Sequence, residues 1–289
     1  MGAFFDEVPE NCIDWISEQK IFFVATAPLS GSGTVNVSPK GHDVFHLVSP
    51  REAWYLDITG SGNETISHLR EPGNGRITIM FTAFTGPPRI LRLFGRGRVH
   101  ERDSPQFNAL LPPGDARRLP GARSIIWIDI ERTGTSCGFS VPKYEYLEDR
   151  PTLLNYYAPK EALDAAYLSS LPPSSPSSQL TVAPASCVPK GLAAYWALKN
   201  AESVDGLPGL EKAGWPPAEG AVRKAKGVEG ATKRLGSGAA VAVRREEDGW
   251  AAWARGWSWK TEMGVVAGLA VGWWLGRGGW AQLEEAFGL

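Results

Sequence analysis

The sequence predicts a mainly β protein built as an antiparallel barrel or sandwich, and three observations carry this. Six or so short runs rich in β-branched and aromatic residues succeed one another between residues 21 and 131. Short turns with Gly, Ser or Pro separate them, and few helical periodicities intervene. The alternating strand–helix rhythm of a dinucleotide-binding sheet is missing.

The elements follow in order. Pro9 to Gln19 places Ile13 and Ile16 at helical spacing, so a short helix precedes the strands. Ile21 to Ala27 (IFFVATA) is a continuous apolar run suited to a buried strand. Thr34 to Ser38 alternates after the Gly31-Ser32-Gly33 turn, and Val44 to Val48 and Ala53 to Ile58 are further strands. Glu64 to Arg70 is a short helix with Ile66 and Leu69 on one side. Arg76 to Phe84 alternates with Ile77, Ile79 and Phe81 facing one way, and Ile90 to His100 and Ser124 to Glu131 complete the set.

Composition sets bounds. The chain has 289 residues and a net charge of -1, which argues against a general nucleic-acid binder because phosphate neutralisation needs a basic excess. Three cysteines, Cys12, Cys137 and Cys187, lie far apart and give neither a disulfide framework nor a zinc site. The N-terminus has no basic flank leading into an apolar run, so the expected compartment is the cytoplasm.

The C-terminal third differs in kind. Ser169 to Pro184 is Ser- and Pro-rich and uncharged, and predicts an extended, mobile linker. Gly191 to Ser203 has Leu192, Tyr195, Trp196 and Lys199 at helical steps. Between 221 and 260 nine Lys or Arg stand against four acids, and seven of the twelve Trp lie between 250 and 280. The uncharged run 263–276 is shorter than the roughly 20 residues of a spanning helix. Three readings stand for this tail: contact of 221–280 with a membrane surface, since basic residues and Trp favour headgroups, a spanning segment, or a buried or disordered tail.

Several segments could carry chemistry. Ser38-Pro39-Lys40-Gly41 follows a strand and offers a hydroxyl, a point charge suited to phosphate and an approachable backbone; it is equally a polar turn. Asp57 to Thr65 (DITGSGNET) runs from a strand end through glycines into a helix start, which suits an anion, while Asn63 can simply cap the helix. It is neither a Rossmann fingerprint nor a P-loop. Arg92, Arg96 and Arg98 share parity, so they form either a solvated exterior or a basic wall beside an anionic cofactor. His42 and His46 lie too far apart on an extended chain to share a metal, and no metal site is expected. No nucleophile has a recognisable base partner.

Taken in order, FFVATAPLSGSGTVNVSPKG (22–41), WYLDITGSGNETISHL (54–69), RITIMFTAF (76–84), ILRLFGRGRV (90–99), CGFSVPKYEY (137–146) and KNAESVDGLPGL (199–210) resemble the pyridoxamine 5'-phosphate oxidase-like family of FMN-binding split barrels. The resemblance implies a six-stranded antiparallel split barrel with flanking helices, a homodimer, and FMN at the subunit interface. It implies that Val37, Ser38, Pro39 and Lys40 lie along the flavin and its phosphate. It implies that Ser61, Asn63 and Thr65 hold the ribityl phosphate, and that Arg92 reaches the cofactor from the barrel wall. Two departures stand out. The family's oxidase ends in Arg-Leu-x-Pro with Arg and His nearby, whereas this chain ends in a Gly/Trp-rich tail. Its adjacent basic pair after the phosphate-loop Ser is here Gly62-Asn63.

The organisation expected is a barrel domain over 1–165, a Ser/Pro linker over 166–189, a family helix and turn over 190–210, and a tail over 211–289. The function expected is an FMN-dependent oxidoreductase whose small-molecule substrate the sequence does not name. The alternative is a non-catalytic flavin or haem binder held at a membrane by its tail.

Overall fold

A computed structural model of the chain describes residues 2–175 and 180–213. Among these, eight strands form one antiparallel sheet: β1 (Ala3–Phe5), β2 (Phe22–Thr26), β3 (Asn36–Lys40), β4 (Phe45–Ser49), β5 (Glu52–Ile58), β6 (Arg76–Thr82), β7 (Ile90–Glu101) and β8 (Ala122–Ser136). The order is β3-β2-β6-β7-β8-β5-β4, with β1 added beside β8. The path ends at β3 and β4, which are neighbours in sequence, and no ladder joins them among the described residues. This is the split of a split barrel.

Side chains close the gap that the backbone leaves. Phe22 on β2 meets Phe45 on β4 and Tyr55 on β5 edge to face, with ring centroids 5.3 and 5.5 Å apart, and Phe45 meets Phe81 at 5.0 Å. Edge-to-face pairs of this kind add about 0.5–1.5 kcal/mol each beyond their buried area. The registers Ser38↔Val24↔Ile79↔Leu93 put these four on one rung, and Val24, Ile79 and Leu93 are buried. Side chains of a rung share a face, so Ser38 and Lys40 face the barrel interior. Pro39 and Val37, one residue out of step, face outward. As an end strand, β3 tolerates the missing N–H of Pro39.

Helix α1 (Glu10–Glu18) buries Cys12 and Ile16, and α2 (Glu64–Arg70) matches the expected span and buries Ile66. A Cβ on Gly97 would sit 2.8 Å from Leu69, so this glycine lets α2 lie close against β7. Ser104 caps α3 (Pro105–Leu110) by accepting the N–H of Phe107 at 3.2 Å. The arginine register also holds: Leu91 and Leu93 are buried while Arg92, Arg96 and Arg98 face out. A bulge between Phe94 and Gly95 is taken up on β8, so β7 keeps its alternation.

Three expectations change. β1, α3 and α4 (Thr152–Ser169) were not anticipated; α4 buries only Tyr157, Asp164 and Leu168 and contains Pro159, so it lacks a periodic apolar face. It also runs past the expected linker start at 166. Second, β8 continues to Ser136, five residues beyond the expected end, because β7 pairs with it throughout. Third, the described end of the expected mobile linker is fastened. Thr181 accepts Arg102 Nε at 2.7 Å, and Val182 and Ala183 are buried.

Helix α5 (Leu192–Lys199) begins at Gly191, which has no capping side chain. Asp164 on α4 supplies the cap, accepting the N–H groups of Leu192 and Ala193 at 3.0 and 3.4 Å. A Cβ on Gly191 would fall 1.9 Å from that carboxylate. The expected tail lies outside the described residues beyond 213. Among the described residues no helix is long and apolar enough to cross a membrane.

Candidate functional site

The site residues are best described from the end strand outward. On β3 the outward Val37 is 62% exposed, Pro39 is also exposed, and the inward Ser38 and Lys40 are half-buried at the split. Lys40 Nζ donates to Asp57 Oδ1 on β5 at 2.8 Å, spanning the gap between the two ends of the sheet. Asp57 is fully buried. Its other oxygen accepts Arg123 Nε at 2.7 Å, and Arg123 Nη1 donates to Gly62 O at 2.8 Å. Burial pushes the Asp57 carboxyl up, but Arg123 and Lys40 overcome this and hold its pKa at about 2. Two cations around one carboxylate leave one positive charge in excess.

A cleft of about 640 Å³ opens beside this strand end. Pro39, Lys40, Gly41 and His42 line one side, and Phe84, Tyr144 and Tyr146 contribute aromatic wall. The 144–150 segment is pinned there by Tyr144 N–H to Phe84 O at 3.1 Å, ring contact of Phe84 with Tyr144 at 5.2 Å, and Asp149 accepting His42 N–H at 3.3 Å. His42 and Asp43 both adopt the left-handed region, with φ of 68° and 51°. Two consecutive non-glycine residues there are strained, and the surrounding contacts hold them.

The 57–65 loop has a different setting, because the chain from α5 to 213 lies over it. Trp196 Nε1 donates to Thr59 Oγ1 at 2.8 Å, and Asn200 Nδ2 donates to Gly60 O at 3.0 Å. Ser67 Oγ donates to Leu207 O at 3.3 Å, and Arg70 Nη1 to Gly209 O at 2.7 Å. Asn63 is 1% exposed; its amide donates to Ser67 Oγ at 3.0 Å, and it makes no side-chain cap to α2. Glu64 accepts Val204 N–H at 3.3 Å and crowds Gly62. Its charge makes this loop a weaker anion site than the glycine pattern alone implies.

The structure therefore brings some candidates together and separates others. Ser38 and Thr65 meet through Asn36, which accepts Ser38 Oγ at 2.9 Å and donates to Thr65 Oγ1 at 3.0 Å. Lys40 and the exposed Ser61–Gly62 turn are linked through Asp57 and Arg123. Arg92 stands apart. It shares the outward rung Pro39↔Phe23↔Met80↔Arg92, three strands from the edge, or about 14 Å at the usual strand spacing. Its guanidinium donates to Ser136 Oγ at 3.3 Å.

Asn36 and Arg123 carried no signal in the sequence, and Asp57 and Trp196 stood there only as a strand end and a helix face, without a role in the site. One signal was present. Asp57 follows the apolar run Ala53 to Leu56 in β5, and a carboxylate buried in such a strand needs cations beside it.

Residues 8–137 match the family described as pyridoxamine 5'-phosphate oxidase. The Aspergillus flavus pyridoxamine 5'-phosphate oxidase family protein ustO is 38% identical over 215 residues, which cover 74% of this chain and 80% of that protein. This chain belongs to the pyridoxamine 5'-phosphate oxidase family. Two solved structures are similar. HupZ of group A Streptococcus is 21% identical with a TM-score of 0.35, covering 44% of this chain and 91% of that one. A Lactobacillus delbrueckii protein titled a putative pyridoxamine 5'-phosphate oxidase is 16% identical with a TM-score of 0.34, covering 45% and 94%.

The residues present fit a flavin nucleotide of the kind this family often binds. The edge of β3 is open on Val37 and Pro39, the cleft lies beside it, and the Lys40–Asp57–Arg123 group supplies a positive charge under the open Ser61–Gly62 turn. Asn63 and Thr65 are buried, bonded to Ser67 and Asn36, rather than facing solvent.

Proposed function

We propose that this member of the pyridoxamine 5'-phosphate oxidase family is an FMN-dependent oxidoreductase acting on a small molecule held in the cleft beside β3. The observation that carries this reading is the cleft of about 640 Å³ bounded by Pro39, Lys40 and Gly41. It lies within the volume range of small-molecule sites and adjoins β3, one of the two end strands of the sheet. FMN would supply the hydride chemistry. The chain's part is to bind and orient: the backbone of Val37 to Lys40 lies along the ring, Lys40 and Ser61 face the phosphate, and the wall with Tyr144 and Tyr146 shields the reacting face from water. Asn63 and Thr65 hold the phosphate turn in shape. Arg92, on the outer face and distant from its own chain's β3, serves a flavin only across a subunit boundary.

The same reading includes a homodimer, supported by Val37 on the end strand and Val35 just before it, both largely exposed. The test is an absorbance spectrum of purified full-length protein before and after FMN addition and desalting, with light scattering for mass. Retained flavin bands that bleach with a nicotinamide or other hydride donor support the reading. Protein absorption alone after FMN loading defeats it, and a Soret band redirects it to haem.

A further inference from the structure

The Gly60–Gly62 turn has no local element to hold its shape. Gly60 carries no Cβ, so the peptide it shares with Ser61 can turn over at little steric cost. The carbonyls on either side are held instead by side chains from far along the chain. Asn200 Nδ2 donates to Gly60 O at 3.0 Å across 140 residues, and Arg123 Nη1 donates to Gly62 O at 2.8 Å across 61 residues.

These bonds decide where the turn points its donors. A trans peptide is planar, and it sets the N–H of one residue antiparallel to the C=O of the residue before it. With Gly60 O drawn to Asn200, the Ser61 N–H points away from the C-terminal arm, the chain from α5 to 213. Ser61 is exposed, and its N–H donates to no acceptor among the described residues. Turning this peptide over would aim the N–H at Asn200 and present the carbonyl outward, where its negative end repels an anion.

The anchor is itself fixed. Asn200 is fully buried; its N–H donates to Trp196 O at 2.7 Å, and its carbonyl accepts the Leu210 N–H at 2.9 Å. Gly60 O can only accept, so the Asn200 amide must present its nitrogen there. Direction matters at this turn because net charge does little. The one positive charge in excess among Lys40, Asp57 and Arg123 stands against Glu64, whose carboxylate a Cβ on Gly62 would approach to 2.5 Å. What remains to hold an anion is the aim of the N–H dipoles.

We propose that Asn200 is a positioning residue: by holding Gly60 O it aims the Ser61 N–H at the phosphate of the bound nucleotide, so the C-terminal arm completes the phosphate turn. This rests on the reading that the chain binds FMN with its phosphate at Ser61.

Two measurements on the full chain test it. The first compares the affinity for FMN with that for riboflavin, which has the same ring and ribityl chain but no phosphate. Asn200→Ala weakens FMN about fivefold, the size of one neutral hydrogen bond, and leaves riboflavin unchanged. A merely structural role of the arm weakens both alike. Equal losses, no loss, or a wild type that binds the two flavins equally well each overturn the proposal. Trp196→Phe keeps an aromatic ring in place and removes the bond to Thr59 instead, and it leaves the ratio of FMN to riboflavin affinity at the wild-type value. An equal fall of that ratio in Trp196→Phe overturns the particular role of Asn200. If Asn200→Ala does not fold, Asn200→Ser, whose hydroxyl is too short to reach Gly60 O, takes its place.

The second measurement needs no flavin. Nitrogen-15 spectra of the cofactor-free chain are followed as inorganic phosphate is added. The Ser61 amide should move in the wild type, with a midpoint about fivefold higher in Asn200→Ala. A Ser61 amide that phosphate leaves in place overturns the proposal. A wild type that binds no FMN while its Ser61 amide responds to phosphate overturns the flavin reading and leaves the positioning role standing.

Discussion

The end strand β3 and the loop leading into α2 are built from similar small polar residues, yet they meet opposite fates. β3 stands at the edge of the sheet with Val37 and Pro39 exposed and a cleft alongside. The loop lies under the C-terminal arm, where Trp196 and Asn200 take its hydroxyl and carbonyl and Gly209 packs on Asn63. A Cβ on Gly209 would approach both Asn200 O and Asn63 Nδ2 to 2.2 Å. Local composition makes both segments able to bind an anion. What packs on each decides how much of it is reachable: β3 keeps its edge open, while of the loop the Ser61–Gly62 turn stays exposed and Asn63 is covered. The two are nonetheless joined, because Lys40 from the strand and Arg123 beneath the loop share the buried Asp57.

That comparison can be broken at several points. The largest effect is expected from Asp57→Asn, which leaves Lys40 and Arg123 unpaired at the split and costs about 3–5 kcal/mol. Denaturant melts would show this as a fall in midpoint, with both β3 and the loop loosened in hydrogen exchange. Trp196→Ala costs a similar amount, about 3–5 kcal/mol for a fully buried Trp. Its exchange signature should differ, with loosening confined to 59–63 and to the arm while β3 keeps its protection. Uniform loosening would show that arm and barrel unfold as one unit.

A pH titration sharpens the shared carboxylate. The folded pKa of Asp57 is depressed to about 2 from 3.8, so its contribution is full above pH 4 and lost as pH falls from about 4 towards 2. The loss amounts to about 2 kcal/mol. Urea midpoints followed between pH 5 and 2 should show it in the wild type, and Asp57→Asn should lack that component. Asn200→Ala, which removes one bond from the arm to Gly60 O, should cost about 1 kcal/mol and speed exchange at the loop. The smallest stability effect is expected from Val37→Asp, within about 0.5 kcal/mol for an exposed edge position. Its readout is association instead, since a charge on that edge should shift the mass in light scattering towards the monomer.

Much of this is legible in the sequence alone. Alternation in Arg76 to Thr82 and in Ile90 to Glu101 depends only on the two-residue period of a strand, so the buried and outward sets on β6 and β7 could be read directly. Helix α2 was legible because Ile66 and Leu69 sit between clear turn signals. Helix α4 was not, because it buries few side chains and carries Pro159. The candidate site was half legible. Ser38 and Lys40 could be marked as chemically able, but Asn36 and Arg123 gain their roles only from partners 29 and 66 residues away.

The sequence by itself determined the antiparallel strands, the faces that β6 and β7 bury, and the family resemblance, because these follow from side-chain periodicity and short motifs. Tertiary structure alone decided that Lys40 spends one bond on Asp57, that Asn63 is covered, and that Arg92 stands about three strands from β3. The reason is physical. Period and propensity act over a few residues, whereas burial and the pairing of charges depend on which distant segments fold onto one another.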